Sequence, residues 1–235
     1  LRVILDHSDA ETDNIRTFYF QPEKPLRYTA GQYIELTLGG FAPDDLGRSR
    51  WFTLSSSPTQ PLLSITTKFT PEEPSTFKKA LLAMQPGDAG HMTGPLGDFV
   101  LPKDASIPLL FVAGGIGITP IHSMLQWLVD SDEKRMIQCM YGVSRESEII
   151  FQVTLNAAEV HTTIVVANPF DAWGGERGRL SAEMIVGVKN VTPDTLIYLS
   201  GPEPMVDQLY NDLQHHGINR QQLVRDAFPG YSKNY

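Results

Sequence analysis

Pro108-Leu-Leu-Phe-Val-Ala-Gly-Gly-Ile-Gly-Ile-Thr-Pro120 is an unbroken apolar run that ends in three closely spaced glycines and a threonine–proline pair. Five apolar residues in a row suit a strand buried on both faces, as in a parallel sheet. Apolar positions from Ile121 to Val129 then recur at helical spacing, so the stretch reads as a strand, a glycine turn and a helix. Pro120 suits the first turn of that helix. Three glycines at such a joint let backbone N–H groups at the helix start approach a pyrophosphate without interference from Cβ atoms. They serve equally well as a tight strand-to-helix joint with no ligand, and the cluster alone leaves both readings open.

Downstream, buried-looking strands are expected at Ile137–Tyr141, Thr163–Ala167 and Leu196–Leu199, interleaved with helical stretches at 147–158, 181–186 and 205–215. Strands alternating with helices imply a doubly wound parallel sheet covered on both faces. Tyr141-Gly-Val-Ser-Arg145 follows the second strand, and Ser200-Gly-Pro-Glu-Pro-Met205 follows what reads as the last one. Both lie where open α/β sheets bind ligands, outside the carboxyl ends of the strands, and together with the glycine turn they predict one crevice lined from three strands.

Upstream, the first hundred residues alternate apolar and polar positions in short runs, such as 31–38 and 62–68, between breaks rich in Pro, Gly and Asp. That pattern predicts a small antiparallel β-barrel. One helix interrupts it, over 75–84, where Ser75 or Thr76 can cap the first turn. Proline, charge and small residues cluster between Pro102 and Pro108, which places the domain boundary there and gives expected domains 1–103 and 104–235.

The composition, 41% hydrophobic and 20% charged, is that of a packed globular protein, and a net charge of −8 argues against nucleic acid as a partner. A single cysteine, Cys139, excludes an internal disulfide framework, a four-cysteine zinc site and a cysteine-ligated iron–sulfur cluster within this sequence. No metal site is expected. The longest apolar stretch, Ile107 to Ile118, is too short to span a bilayer. No signal peptide is recognised, and the default expectation is a cytoplasmic monomer, although a chain opening at Leu1 leaves room for an upstream segment.

Five motifs, in order along the whole chain, resemble those of the ferredoxin–NADP reductase superfamily. Arg50-Trp-Phe-Thr53 is similar to the family's flavin motif Arg-x-Tyr-Ser/Thr, and Gly94-Pro-Leu-Gly-Asp-Phe99 to its Gly-Pro-x-Gly-x-Phe turn. Gly114 to Pro120 is similar to the pyridine-nucleotide loop Gly-Gly-x-Gly-x-Thr-Pro, Ser200 to Met205 to the Cys-Gly-Pro-x-x-Met segment, and Asp226 to Tyr231 to the Glu-x-Phe terminus. The resemblance implies an N-terminal FAD-binding Greek-key barrel and a C-terminal NAD(P)-binding α/β domain. It further implies hydride transfer from NAD(P)H to FAD, followed by release of single electrons to a separate carrier such as ferredoxin, flavodoxin or an oxygenase component. A flavin, ferric or quinone reductase acting on small acceptors, or a non-autonomous electron-transfer or sensing subunit, are the alternatives.

By that resemblance Arg50 pairs with the FAD pyrophosphate, where a planar guanidinium fork matches phosphate oxygens. Trp51 belongs to the same cofactor-binding motif, Phe52 packs on the flavin or its ribityl chain, and Thr53 reaches the flavin near N5. Ser75 and Thr76 hold FAD phosphates at the start of the inserted helix. Gly114, Gly115, Gly117 and Pro120 shape the nucleotide turn, Thr119 faces the nicotinamide, and Ser144 with Arg145 takes the adenosine end. Gly201, Pro202 and Met205 line the same cofactor. Thr53, Ser200 and Phe228 are the expected catalytic positions, with Phe228 or Tyr231 covering the flavin. The region after the third strand reads Ala167-Asn-Pro169 where NADP-specific relatives carry a Ser-Arg pattern, with Arg177 and Arg179 coming later, but Ser144-Arg145 could bind a 2′-phosphate, which puts NADPH slightly ahead of NADH. Three departures stand out: Ser200 replaces the family's cysteine, Phe52 lacks a tyrosine hydroxyl, and Asp226 replaces a glutamate. His91, His122, the pair His215-His216 and Cys139 read as structural or solvent-facing.

Overall fold

A computed structural model describes residues 1–69 and 75–228, which fall into two compact units that divide between Val100 and Leu101. The first contains β1 (Arg2–Ala10), β2 (Ile15–Pro22), β3 (Tyr33–Leu38), β4 (Ser49–Thr53), β5 (Leu63–Lys68), α1 (Thr76–Ala83) and β6 (Ala89–Leu96). These strands form one antiparallel sheet in the order β4-β3-β6-β1-β2-β5. The two outermost strands meet through a bridge between Leu54 and Ile65, so the sheet curls back on itself into the expected barrel. β6 lies between β3 and β1, pairing with both.

The alternation seen in the sequence is what fills the barrel. Ile34, Leu36 and Leu38 of β3 point inward with Val3 and Leu5 of β1, Phe18 and Phe20 of β2, and Ile65 of β5. α1 closes the interior with Phe77 and Leu81, spaced one helical turn apart and both fully buried. Ser75 caps this helix, its side chain accepting from the Lys78 backbone N–H at 3.3 Å.

The second unit contains β7 (Leu109–Gly114), α2 (Ile118–Ser131), β8 (Ile137–Val143), α3 (Gln152–Ala157), β9 (His161–Val166), β10 (Glu176–Arg177), α4 (Ala182–Val186), β11 (Leu196–Pro202), α5 (Glu203–His215) and β12 (Leu223–Phe228). All pairings are parallel, in the order β10-β9-β8-β7-β11-β12. The order reverses between β7 and β11, the switch point at which doubly wound sheets open a ligand crevice. β7 is buried at every position, as its unbroken apolar run requires. On one face α4 and α5 contribute Ile185, Val206, Leu209 and Leu213 to a core shared with Leu110, Val112 and Leu199. α2 buries Ile121, Met124, Leu125 and Leu128.

Three expectations are corrected. The strand carrying Ser200 is not the last: β12 follows and pairs with it from Leu223 to Phe228. Its sequence, Leu-Val-Arg-Asp-Ala-Phe, carries polar residues because it is an edge strand, and it therefore lacks the apolar run used to recognise the others. The helix expected over 147–158 is broken into a 3-10 turn at Glu146–Glu148 and the short α3, with Phe151 in left-handed conformation (φ 61°) between them. α2 begins at Ile118, a turn earlier than the helical spacing from Ile121 indicated, and Pro120 lies in its first turn as expected.

Candidate functional site

In the first unit the candidate residues gather around one ion pair. β4 projects alternate side chains to opposite faces, so Arg50 and Phe52 share one face while Trp51 takes the other. Arg50 donates from one guanidinium nitrogen to both carboxylate oxygens of Asp44, at 2.5 and 2.7 Å. Its other terminal nitrogen donates to the carbonyls of Leu46, Gly47 and Ser49, so residues 44–49 wrap the guanidinium. Thr76, the first residue of α1, donates its hydroxyl to the same carboxylate at 3.1 Å. The Arg50 hydrogen bonds, followed by the Thr76 hydroxyl and the Leu46 N–H, outweigh partial burial and hold the Asp44 carboxyl below the ordinary carboxylate range. A guanidinium fork and a helix-start hydroxyl converging on a negative oxygen pair are what a phosphate also requires, so these residues fit the FAD pyrophosphate.

The Arg50 guanidinium stands 5.3 Å over the Phe77 ring, and Phe52 packs 5.9 Å from the same ring, at the rim of the barrel core. Thr53 is buried. Trp51 is 63% exposed and stacks on Tyr33 with centroids 5.2 Å apart, on the face away from Arg50. Ser75 serves the helix cap described above. Asp44 was not singled out in the sequence, because nothing in the spelling Pro-Asp-Asp-Leu-Gly marks which carboxylate the chain folds back onto Arg50. Also missed was a run of buried hydroxyls at the barrel seam, Thr17 to Thr66 at 2.8 Å, Thr66 to Ser55 at 2.9 Å and Ser55 to Ser64 at 2.8 Å. The cluster of Ser and Thr over 55–57 and 64–67 was its signal.

In the second unit the glycine turn follows β7 as a 3-10 turn, Gly115–Gly117, leading into α2. A Cβ on Gly117 would lie 2.3 Å from the Ser200 carbonyl oxygen, and one on Gly114 would lie 2.3 Å from the Met205 sulfur. Tight packing of the turn against the β11 backbone thus requires Gly117 whatever else it does, whereas the Met205 side chain could give way at Gly114. Thr119 is 2% exposed and donates to the Ile116 carbonyl at 3.0 Å. Ser200 is fully buried and its hydroxyl has no hydrogen-bond partner among the described residues, an uncommon state for a buried polar atom. Gly201 and Pro202 are buried within β11, and Phe228 ends β12 opposite Pro202, half-buried. Tyr231 lies outside the described residues.

Beyond the carboxyl ends of β7, β8 and β9 opens a cavity of about 450 Å³. Gly114, Ser144, Asn168, Arg179, Ser181 and Met205 are among the residues that line it. Of the expected nucleotide residues it collects Gly114, Ser144 and Met205, while Arg145 is exposed beside it in sequence and Thr119 and Ser200 are sealed under the turn. Arg179 and Asn168 were not foreseen as cavity residues; they arrive from the loops after β10 and β9, whose path no local pattern reveals. Cys139 is a core residue of β8, and burial pushes its thiol up to about 12. His122 stacks on Phe151 at 3.8 Å and pairs with the Thr154 hydroxyl, and His216 contacts Glu183. Among the described residues no group of three or more His, Cys, Asp or Glu is placed to hold a metal, and no helix is long and apolar enough to cross a membrane.

Residues 111–210 match the oxidoreductase NAD-binding domain family. The chain is 29% identical over 232 residues to the glycine betaine monooxygenase reductase subunit of Pseudomonas aeruginosa, covering 93% of this chain and 61% of that one. It is 26% identical over 235 residues to a flavohemoprotein of Oceanobacillus iheyensis, covering 93% and 56% respectively. It therefore spans roughly three-fifths of the length of these relatives. Its fold is similar to the flavohem-like FAD/NAD-binding domain of nitric oxide dioxygenase from Vibrio cholerae, with a TM-score of 0.81 at 18% identity, covering 97% of this chain and 98% of that one.

Proposed function

We propose that this chain, a member of the ferredoxin–NADP reductase superfamily, is an FAD-dependent oxidoreductase that takes hydride from NAD(P)H and passes electrons singly to a separate redox protein. The observation that carries this reading is the cavity at the strand ends of the second unit, at the position where such sheets hold dinucleotides. Bound FAD supplies the two-electron to one-electron conversion; the protein supplies binding and alignment.

In the first unit, Arg50, Ser75 and Thr76 hold the flavin pyrophosphate, and the carboxylate that Arg50 and Thr76 now grip is the fit that supports it. Phe52 and Thr53 flank the flavin, with Trp51 completing the motif. In the second unit, Gly114, Gly115, Gly117 and Pro120 present the helix start to the nucleotide pyrophosphate, and Gly201, Pro202 and Met205 form the opposite wall. Thr119 and Ser200 serve the nicotinamide. Ser144, Arg145 and Arg179 take the adenosine end, and a cation in the cavity beside a serine favours NADPH over NADH. Phe228 or Tyr231 covers the flavin. The domain assignment follows, with FAD on residues 1–103 and NAD(P)H on 104–235.

The relative that is a monooxygenase reductase subunit supports an oxygenase component as the acceptor, alongside ferredoxin or flavodoxin. Anaerobic stopped-flow mixing of FAD-loaded protein with NADPH and NADH in parallel tests the proposal. Bleaching of the flavin absorbance is expected, faster with NADPH; no bleaching with either nucleotide refutes it.

A further inference from the structure

We propose that Asp44 is a built-in competitor for the flavin pyrophosphate, and that FAD binds by displacing its carboxylate from Arg50 and Thr76. This rests on the flavin reading above and adds a residue that sets flavin affinity.

The geometry is that of a ligand rather than of a framework ion pair. Asp44 lies in the link between β3 and β4, in sequence remote from Thr76, yet its two oxygens collect the Arg50 guanidinium and the Thr76 hydroxyl. A carboxylate presents negative oxygens to a guanidinium nitrogen much as a phosphate does, with the same sign of charge. The start of α1 adds a positive dipole end that favours either anion. Both cannot be held at once: the donors that reach Asp44 are the ones assigned to the pyrophosphate, and two like charges on one guanidinium oppose each other.

The link is also constructed to move. Gly40 and Gly47 bracket it with φ of 79° and 78°, conformations open to glycine, and no atom lies within 4 Å of where a Cβ would stand on either. Leu46 at its tip is 76% exposed, so the tip can swing outward with little loss of apolar burial while Phe41, packed edge-on to Phe77 at the barrel core, stays in place. The tip, residues 44–47, is fastened to the barrel by the Arg50 hydrogen bonds to Asp44 and to the carbonyls of Leu46 and Gly47. A phosphate that captures the guanidinium would release it.

The test is a titration of flavin-stripped full-length protein with FAD, followed by flavin fluorescence, for wild type, Asp44→Asn, Asp44→Ala and Arg50→Ala. Circular dichroism confirms that each variant is folded. Displacement predicts that both Asp44 variants bind FAD roughly 10-fold more tightly, through faster association, while Arg50→Ala binds more weakly. If Arg50→Ala weakens FAD binding but the Asp44 variants bind with unchanged or lower affinity, Asp44 is a positioning partner for Arg50 and the competitor role is overturned, with the flavin reading intact. If Arg50→Ala leaves FAD affinity unchanged, the pyrophosphate does not sit on Arg50 and both ideas fall.

Discussion

Replacing Gly117 by alanine tests whether the glycine turn is held shut by packing. Its φ of −61° is one alanine adopts freely, so any loss of stability comes from contact and not from backbone strain. The new Cβ would stand 2.3 Å from the Ser200 carbonyl oxygen, 2.5 Å from its carbonyl carbon and 2.6 Å from the Gly201 Cα, where ordinary contact begins at 3.4 Å. The turn and β11 must therefore part by about an ångström, and all three atoms are backbone of a strand paired on both sides. Overpacking of this kind costs about 2–3 kcal/mol, which for a unit of this size lowers the midpoint of thermal unfolding by roughly 6–12 °C. Gly174→Ala is the control, since nothing lies within 4 Å of the Cβ it adds. Thermal and urea denaturation followed by circular dichroism provide the assay. A Gly117→Ala protein as stable as the control would refute the packing role and leave nucleotide approach as the sole reason for that glycine.

Ser200→Ala removes a buried hydroxyl that lacks a partner among the described residues, so urea denaturation is expected to show stability unchanged or raised by about 1 kcal/mol; a loss of that size would reveal a hydrogen bond. The Cys139 thiol, with its ionisation pushed up to about 12 by burial, stays protonated across the neutral range, and the thiolate is the form that reacts. Native protein at pH 8 should therefore leave a disulfide-exchange reagent uncoloured until urea is added, and prompt reaction would contradict its burial. The lowered pKa of Asp44 means that its contact with Arg50 is complete above the ordinary carboxylate value and fades as pH falls through the lower folded value. Carboxyl carbon NMR should place that midpoint below the unperturbed one, and a midpoint at or above it would contradict the geometry.

The division into barrel and parallel sheet was legible because two periods, alternation in 31–38 and 62–68 and the solid apolar run at 109–113, differ so plainly. β12 escaped notice because an edge strand has one sheet neighbour and keeps polar residues, so Leu-Val-Arg-Asp-Ala-Phe has no period to read. Phe151 interrupts the expected helix with a left-handed residue whose type gives no warning. Gly114, Ser144 and Met205, which line the cavity, could be named from the sequence because a motif fixes each of them relative to a strand. Asp44, Asn168 and Arg179 were not, since they reach their positions by loop paths that depend on what the loop folds against.

The place of β6 in the first sheet bears on how the protein is born. It is the strand that ties β4-β3 to β1-β2-β5 on that side, yet it is the last strand of its unit to leave the ribosome. Until Ala89–Leu96 emerges, the nascent chain holds two sheet fragments with raw edges at β3 and β1, the sort of surface that invites pairing with neighbouring chains. Chaperone demand during synthesis should therefore peak before this strand appears and fall once it has slotted in.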